Sequence, residues 1–267
     1  MAANTMQLEQ KRIQIRGIPV HYQVAGEGEP LVLVHGLSGS SQWWAKNVGP
    51  LAEHFRVYIV DLVGFGASKG NHPFILDEAS RFLVEWMDEL GLERVNLMGH
   101  SMGGFISADL AADCPQRVER LVLVDAAGLP FDPNVLKHAY GLTRAVRYMP
   151  PDFLPVLVRD VWRAGPKTMV SAMRQILSSN LQDKLAQVEV PTLVVWGEFD
   201  TVIPVEVGQE LSKALSNGEF VVLKGAGHNP MWDRAEAFNE LVLNFLTTEQ
   251  QARSEEGEPG GEQMVAA

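Results

Sequence analysis

Short apolar runs alternate with longer amphipathic segments along most of the chain. The runs LVLVHG, VYIVD, VNLMGHS, LVLVD, TLVVWG and FVVLKGAG are rich in branched residues and carry Gly, Asp or His near their carboxyl ends. Such continuous runs are typical of strands that are buried on both faces. Two earlier runs, RIQIRG and IPVHYQV, alternate polar and apolar positions and meet at Gly17, which predicts an antiparallel hairpin at a sheet edge. The pattern predicts an α/β fold whose sheet is covered on both faces by helices.

The alternation is interrupted over residues 129–186, a stretch too long for a single helical crossover. Six prolines separate short helical patterns in this stretch, so we expect a small helical cap there. The core is then formed by residues 1–128 and 187–248. Residues 249–267 are rich in Glu and Gly and lack aromatic side chains, which predicts a disordered acidic tail.

The sequence GHSMG at 99–103 directly follows a predicted strand and directly precedes a predicted helix. A serine in that setting lies on a tight turn, and the flanking glycines allow a close backbone approach that a Cβ would block. The five-residue pattern also occurs by chance, so its position between strand and helix carries the argument. We therefore predict Ser101 as a nucleophile, with the backbone N–H groups of Leu37 and Met102 as an oxyanion hole.

These features together resemble the α/β-hydrolase superfamily, and the resemblance extends from Arg12 to Leu246. It implies an eight-stranded, mostly parallel sheet with a cap inserted after the sixth strand. It also implies a fixed chain order of nucleophile, acid and histidine. The motifs that carry it are HGLSGS at 35–40, DLVGFGAS at 61–68, GHSMGG at 99–104, GEFDTVIP at 197–204 and GAGHNPMWDRAEAFN at 225–239.

Three residues at successive strand ends fit that order, namely Ser101, Asp200 and His228. His228 follows FVVLKGAG and is the predicted base. His100 belongs to the serine turn and His35 to the oxyanion loop, and the remaining four histidines have no glycine-framed setting. Asp200 follows TLVVWGEF and is the predicted acid, although it could also cap the next helix. Asp125, at the end of LVLVD, is a rival acid because some members of the family place the carboxylate there.

The expected substrate pocket is apolar and is closed by the cap. Trp43 and Trp44 are adjacent, so we expect one to line the pocket and the other to pack beneath it. The cap carries eight basic and four acidic residues, which either steer an anionic substrate or form solvated helix faces; we favour the second interpretation. The predicted lining residues are Trp43 or Trp44, Phe65, Met102, Phe131, Met149, Phe153 and Trp162.

These residues predict a serine hydrolase that cleaves apolar short to medium acyl or aryl carboxylic esters through an acyl-enzyme. The alternative is hydrolysis of a carbon–carbon bond in a vinylogous diketone. Enzymes of this fold with that activity usually carry tryptophan after the histidine and a more glycine-rich loop, whereas this chain has Asn229 and LSGS at 37–40. A cofactor-free haloperoxidase or perhydrolase would use the same triad, and a non-enzymatic small-molecule receptor could share the fold.

Composition limits the binding partners, the cellular compartment and the cofactors that we expect for this chain. A net charge of −11 argues against nucleic-acid binding. Cys114 is the only cysteine, so no intramolecular disulfide can form, which favours a reducing compartment. The chain begins without an apolar leader and has no window long enough to span a membrane, so we expect a cytoplasmic protein. No motif for a metal or an organic cofactor is present, and neither is required by the predicted chemistry.

Overall fold

The computed structural model describes residues 8–70, 72–130 and 148–256, and for residues 249–256 it describes the backbone alone. The strands are β1 (Glu9–Ile15), β2 (Ile18–Ala25), β3 (Pro30–Val34), β4 (Arg56–Val60), β5 (Val95–His100), β6 (Val118–Val124), β7 (Thr192–Gly197) and β8 (Gly218–Leu223). They form one eight-stranded sheet in the order β1-β2-β4-β3-β5-β6-β7-β8. The pairs β1–β2 and β2–β4 are antiparallel and all the others are parallel. The predicted fold class is confirmed.

The described helices are α1 (Val48–Ala52), α2 (Leu76–Glu89), α3 (Met102–Asp113), α4 (Leu154–Ser178), α5 (Gln182–Leu185), α6 (Val205–Ala214), α7 (Pro230–Asp233) and α8 (Ala235–Glu256). Helix α2 buries Leu76, Ala79 and Leu83, which recur at the three- to four-residue spacing of one helix face. Helix α3 is buried over almost its whole length because it packs against β5 and β6 directly behind the serine turn.

Apolar side chains cover both faces of the sheet, which explains the lack of alternation in the central strands. In β3, Leu31 and Leu33 belong to one core cluster, whereas Val32 and Val34 belong to the other. Successive strand residues point to opposite faces, so a strand with helices on both sides must be apolar at every position. The two clusters hold the carboxyl ends of the parallel strands in fixed register.

The inserted segment follows β6, as the sequence predicted, and its described part begins at Tyr148. Helix α4 is broken at Gly165, whose backbone is not helical (φ 75°, ψ 160°), and Pro166 follows directly. Proline cannot donate the backbone hydrogen bond that a continuous helix needs, so the chain changes direction there. The two halves of α4 together form a wall over the carboxyl ends of the strands.

Helix α8 continues beyond Thr248, where the sequence predicted the start of a disordered tail, and ends at Glu256. Its buried side chains Phe238, Val242 and Leu246 are four residues apart and anchor the helix to the sheet. The residues that follow include Glu, Gln, Ala and Arg, which extend a helix at low cost because of their high intrinsic helix propensity. The rest of the predicted tail, residues 257–267, lies outside the described residues.

Within the described residues, no helix combines the length and the apolar character that a membrane span requires.

Candidate active site

Ser101 lies on a sharp turn between β5 and α3 with a positive φ of 53°. Its backbone N–H donates to the carbonyl of Val124 over 2.9 Å, which ties the strained turn to β6. A Cβ at Gly99 would collide with the carbonyl of Gly103, and one at Gly103 would collide with the carbonyl of Val34. Glycine is therefore required at both positions, and the serine side chain is left at the carboxyl edge of the sheet.

The side chains of Ser101, His228 and Asp200 form a hydrogen-bonded chain. Nε2 of His228 lies 3.2 Å from Oγ of Ser101, and Nδ1 lies 2.7 Å from Oδ2 of Asp200. The second carboxylate oxygen of Asp200 accepts the backbone N–H groups of Val202 and Ile203 over 2.7 and 3.0 Å. These bonds fix the carboxylate, and the carboxylate in turn favours the tautomer of His228 that carries its proton on Nδ1. The structure thus brings together the three residues that the chain order predicted.

His100 joins the turn that carries Ser101 to the loop that carries His228. Its side chain is fully buried, and burial lowers the pKa of His100 well below its usual range, so the ring is neutral. Nε2 of His100 lies 2.7 Å from the carbonyl oxygen of His228 and therefore donates to it. This bond holds the backbone of the predicted base over the predicted nucleophile.

The side chain of His35 holds the loop after β3 in place. His35 is buried, and burial lowers the pKa of its imidazole. Its Nδ1 donates to the carbonyl of Gly36 over 2.8 Å, so its Nε2 accepts the N–H of Leu62 at 3.0 Å. Among the described residues, the backbone N–H groups of Leu37 and Met102 donate to no other protein group. Both donors are therefore free to bind a developing oxyanion.

A second buried carboxyl group, that of Asp125, lies close to the hydrogen-bonded side chains of His228 and Asp200. Single ligand atoms of His100, Asp125 and His228 lie within 4.8 Å of one another, which is a spacing that could hold a metal ion. Both ring nitrogens of His228 already contact Asp200 and Ser101, and Nε2 of His100 is also occupied. The group therefore lacks three free ligand atoms, and its hydrogen bonds fit proton transfer better than metal binding.

A cavity of about 290 Å³ opens above Ser101 between the sheet edge and the cap. Of the predicted lining residues, Trp43, Met149 and Phe153 line this cavity. Sequence reasoning missed the apolar side chains of α4 that form its roof, although their spacing on one helix face was a usable signal. These side chains are Leu157, Val161, Met169, Met173, Ile176 and Leu177.

The other predicted lining residues lie elsewhere or outside the described residues. Trp44 is fully buried among core side chains on one face of the sheet, because the turn at residues 41–44 points its neighbour Trp43 to the cavity instead. Phe65 packs against His35 and Phe74, and the Met102 side chain packs in the core. Trp162 is 80% exposed, because it lies on the outer face of α4. Phe131 lies outside the described residues.

Asp160 of α4 was not singled out from the sequence. Its carboxylate is fully buried, and one oxygen accepts Oγ of Ser40 over 2.6 Å and Nε1 of Trp43 over 3.2 Å. The other oxygen pairs with Arg159 at 2.9 Å. The cap is therefore hydrogen-bonded directly to the loop that follows β3 and to a side chain that lines the cavity.

Comparison with known proteins gives consistent matches over most of the chain. A model described as the alpha/beta hydrolase family matches residues 31–241. The chain is 29% identical over 262 residues to the 2-hydroxy-6-oxo-6-phenylhexa-2,4-dienoate hydrolase of Comamonas testosteroni, with coverage of 85% of this chain and 91% of that protein. It is 30% identical over 265 residues to the 2-hydroxy-6-oxononadienedioate/2-hydroxy-6-oxononatrienedioate hydrolase of Paraburkholderia xenovorans (strain LB400), with coverage of 86% and 91%.

A solved structure gives the same architecture. The enol-lactonase from Burkholderia xenovorans LB400 superposes with a TM-score of 0.77 at 28% identity, and the match covers 89% of this chain and 100% of that one. The prediction of carboxylic esters as the main substrates is wrong, because the curated relatives over this length are dienoate hydrolases. That prediction relied on Asn229 and on the loop at 37–40, of which Asn229, Leu37 and Ser38 line the cavity.

Proposed function

The chain belongs to the alpha/beta hydrolase family, and we propose that it is a serine hydrolase that cleaves a carbon–carbon bond in a 2-hydroxy-6-oxo-dienoate. The observation that carries the proposal is its similarity, over about nine-tenths of their length, to relatives named for hydrolysis of such compounds. The chain of Ser101, His228 and Asp200 supplies the groups that the reaction needs.

Ser101 is the nucleophile in this proposal. A serine hydroxyl is a weak nucleophile at neutral pH, so Nε2 of His228 takes its proton as Oγ attacks the ketone carbon at position 6. Asp200 stabilises the imidazolium that results through its bond to Nδ1. The negative charge that develops on the ketone oxygen is held by the backbone N–H groups of Leu37 and Met102.

The tetrahedral intermediate collapses by breaking the bond between carbons 5 and 6. A carbon leaving group departs only if its electron pair is delocalised, and in the tautomer with an oxo group at position 2 the pair reaches that oxygen through the conjugated chain. The proton that His228 took from Ser101 then passes to the 2-oxygen, which gives the free 2-hydroxydienoate and leaves His228 neutral. Water, activated by His228, cleaves the remaining acyl ester on Ser101 and releases a carboxylic acid.

The cavity suits the apolar acyl part of such a substrate. Cap side chains such as Leu157 and Met173 and core side chains such as Ile203 surround it. None of the described lining residues carries a fixed positive or negative charge. A phenyl or alkyl group on carbon 6 is therefore favoured over a sugar or a charged group, since burial of apolar area drives its binding.

The proposal is tested by direct comparison of two substrates that form the same benzoyl-enzyme. These are 2-hydroxy-6-oxo-6-phenylhexa-2,4-dienoate, followed by the loss of its dienolate absorbance, and p-nitrophenyl benzoate, followed by release of nitrophenolate. We expect kcat/KM to be at least about tenfold higher for the dienoate, and Ser101→Ala to lower kcat for both by several orders of magnitude. A higher kcat/KM for the ester would overturn the proposal.

A further inference from the structure

Asn229 is a polar residue that lines the cavity next to the predicted base, and its side chain takes no part in the hydrogen bonds of Ser101, His228 and Asp200. It follows His228 directly, lines the cavity and is only 7% exposed. Its Oδ1 is buried and has no hydrogen-bond partner. Buried amide groups are almost always paired, so this unused acceptor beside the reacting groups needs an explanation.

Within the described part of the chain, no hydrogen bond gives the Asn229 side chain a structural role. The residue occupies the position before α7, where asparagine commonly caps the helix, yet its side chain makes no capping bond. The backbone carbonyl of Asn229 accepts the N–H groups of Trp232 and Asp233, each over 2.8 Å, and these bonds do not depend on the side chain. The amide is therefore free to turn toward a bound molecule.

The residues around Asn229 limit which chemical group of the bound molecule can contact it. Most of the cavity wall is apolar, and the other polar side chains beside Ser101 and His228 are Ser38 and the neutral His100. An amide presents one acceptor and two donors and carries no charge, so it matches an oxygen that alternates between hydroxyl and oxo forms. The 2-oxygen of a dienoate is such a group.

We propose that Asn229 is a specificity residue that hydrogen-bonds the 2-oxygen of the substrate. When the amide turns toward the cavity, Oδ1 accepts the enol hydroxyl of the ground state, and in the opposite orientation Nδ2 donates to the oxo group. The donated bond strengthens as the electron pair from the broken bond reaches that oxygen, so Asn229 acts on cleavage as well as on binding. This inference rests on the proposed function, because it assigns a contact to the leaving group of that reaction.

The test compares Asn229→Leu and Asn229→Asp with the unchanged protein on the same two substrates. Both yield a benzoyl-enzyme, but only the dienoate has a 2-oxygen. We expect each variant to lose about tenfold more kcat/KM on the dienoate than on p-nitrophenyl benzoate. A factor of about ten corresponds to the net free energy of one hydrogen bond. Asn229→Asp keeps the shape of the side chain, so a folding defect in Asn229→Leu would not hide the result. Met173→Leu, another lining residue, is the control and should affect both substrates alike.

Binding is measured separately so that this inference and the proposed function can fail independently. The Kd for the dienoate is compared between Ser101→Ala and Ser101→Ala combined with Asn229→Leu, where no turnover occurs. A weaker Kd in the double variant supports the contact even if the unchanged protein cleaves esters better than dienoates. Equal losses on both substrates together with an unchanged Kd would overturn the role of Asn229.

Discussion

Two buried carboxyl groups lie close to His228 and have different hydrogen-bond partners. Asp200 contacts Nδ1 of His228 at 2.7 Å and accepts two backbone N–H groups. Asp125 is fully buried and accepts one N–H, from Gly197, over 2.8 Å. Burial, reinforced by the nearby Asp200, raises the pKa of Asp125 well above its usual range.

The two aspartates should respond differently to the same substitution. Asp200→Asn removes the charge that stabilises the imidazolium and favours the wrong tautomer of His228, so kcat should fall by about a hundredfold to ten-thousandfold. Asp125→Asn keeps the shape of a side chain that accepts the N–H of Gly197 and, in the described structure, makes no hydrogen bond to His228, so kcat should change by less than about tenfold. Steady-state kinetics of both variants check this, and the reverse ranking would assign the acid to β6.

Asp233, in the helix that follows the loop carrying His228, should make the stability of the protein depend on pH. Its carboxylate accepts the N–H of Gly227 over 2.8 Å, yet burial raises its pKa from 3.8 to about 6. Because the folded state holds this proton more tightly than the unfolded chain, the stability contribution of Asp233 is fully present below about pH 4. It is lost as the pH rises through about 6.

Replacing Asp233 should remove this pH dependence. The free energy of unfolding of the unchanged protein, relative to that of Asp233→Asn, should fall by about 2 kcal/mol between pH 4 and pH 7. Urea unfolding of both proteins at several pH values in this range measures the difference and cancels the other titrating groups. A difference that stays constant, or that rises with pH, would contradict the assignment.

At the level of elements, Asp160 couples cap helix α4 to the loop after β3. Asp160→Leu leaves Ser40 and Nε1 of Trp43 buried without their acceptor, at a cost of about 1–3 kcal/mol for each. We expect a lower Tm and at least a tenfold lower kcat/KM, because both the loop and the cavity wall lose their anchor. Thermal unfolding and steady-state kinetics on the dienoate measure the two effects.

Arg159→Gln is the matched control for Asp160. Arg159 is the partly exposed partner in the same ion pair, and its replacement leaves the buried Asp160 carboxylate without that partner, so Tm should fall. Its replacement should leave the bonds to Ser40 and Trp43 intact, with little effect on kcat/KM. If Arg159→Gln and Asp160→Leu had equal effects, the ion pair rather than the buried hydrogen bonds would join the cap to the core.

At the scale of the whole molecule, the chain end after α8 should contribute little to stability. Leu246 is 1% exposed and is the last buried side chain of that helix that the structure describes, and Thr248 is already exposed. Deleting the residues after Thr248 should therefore shift Tm by no more than a few degrees and leave kcat unchanged. A loss of ten degrees or more would show that the end of the chain packs on the core.

Local patterns in the sequence predicted the sheet because its central strands are apolar at every position and end in turn residues. The runs at β3 and at β5 through β8 all form strands, and the hairpin at Gly17 pairs β1 with β2. Helix ends were harder to predict, since helix α8 extends past Thr248 through residues of high helix propensity. Substrate preference could not be derived from the triad, because ester and carbon–carbon hydrolysis need the same nucleophile and base.

The sequence alone determined the α/β class and the positions of Ser101, Asp200 and His228, because the turn geometry at each strand end depends on a few adjacent residues. Only the tertiary structure decided that Trp43 rather than Trp44 faces the cavity and that the Asn229 amide is unpaired. It also decided that Asp160 anchors the cap through Ser40, a residue 120 positions away in the chain. Contacts between such distant residues depend on how the cap packs on the sheet, and no local pattern of residues encodes that packing.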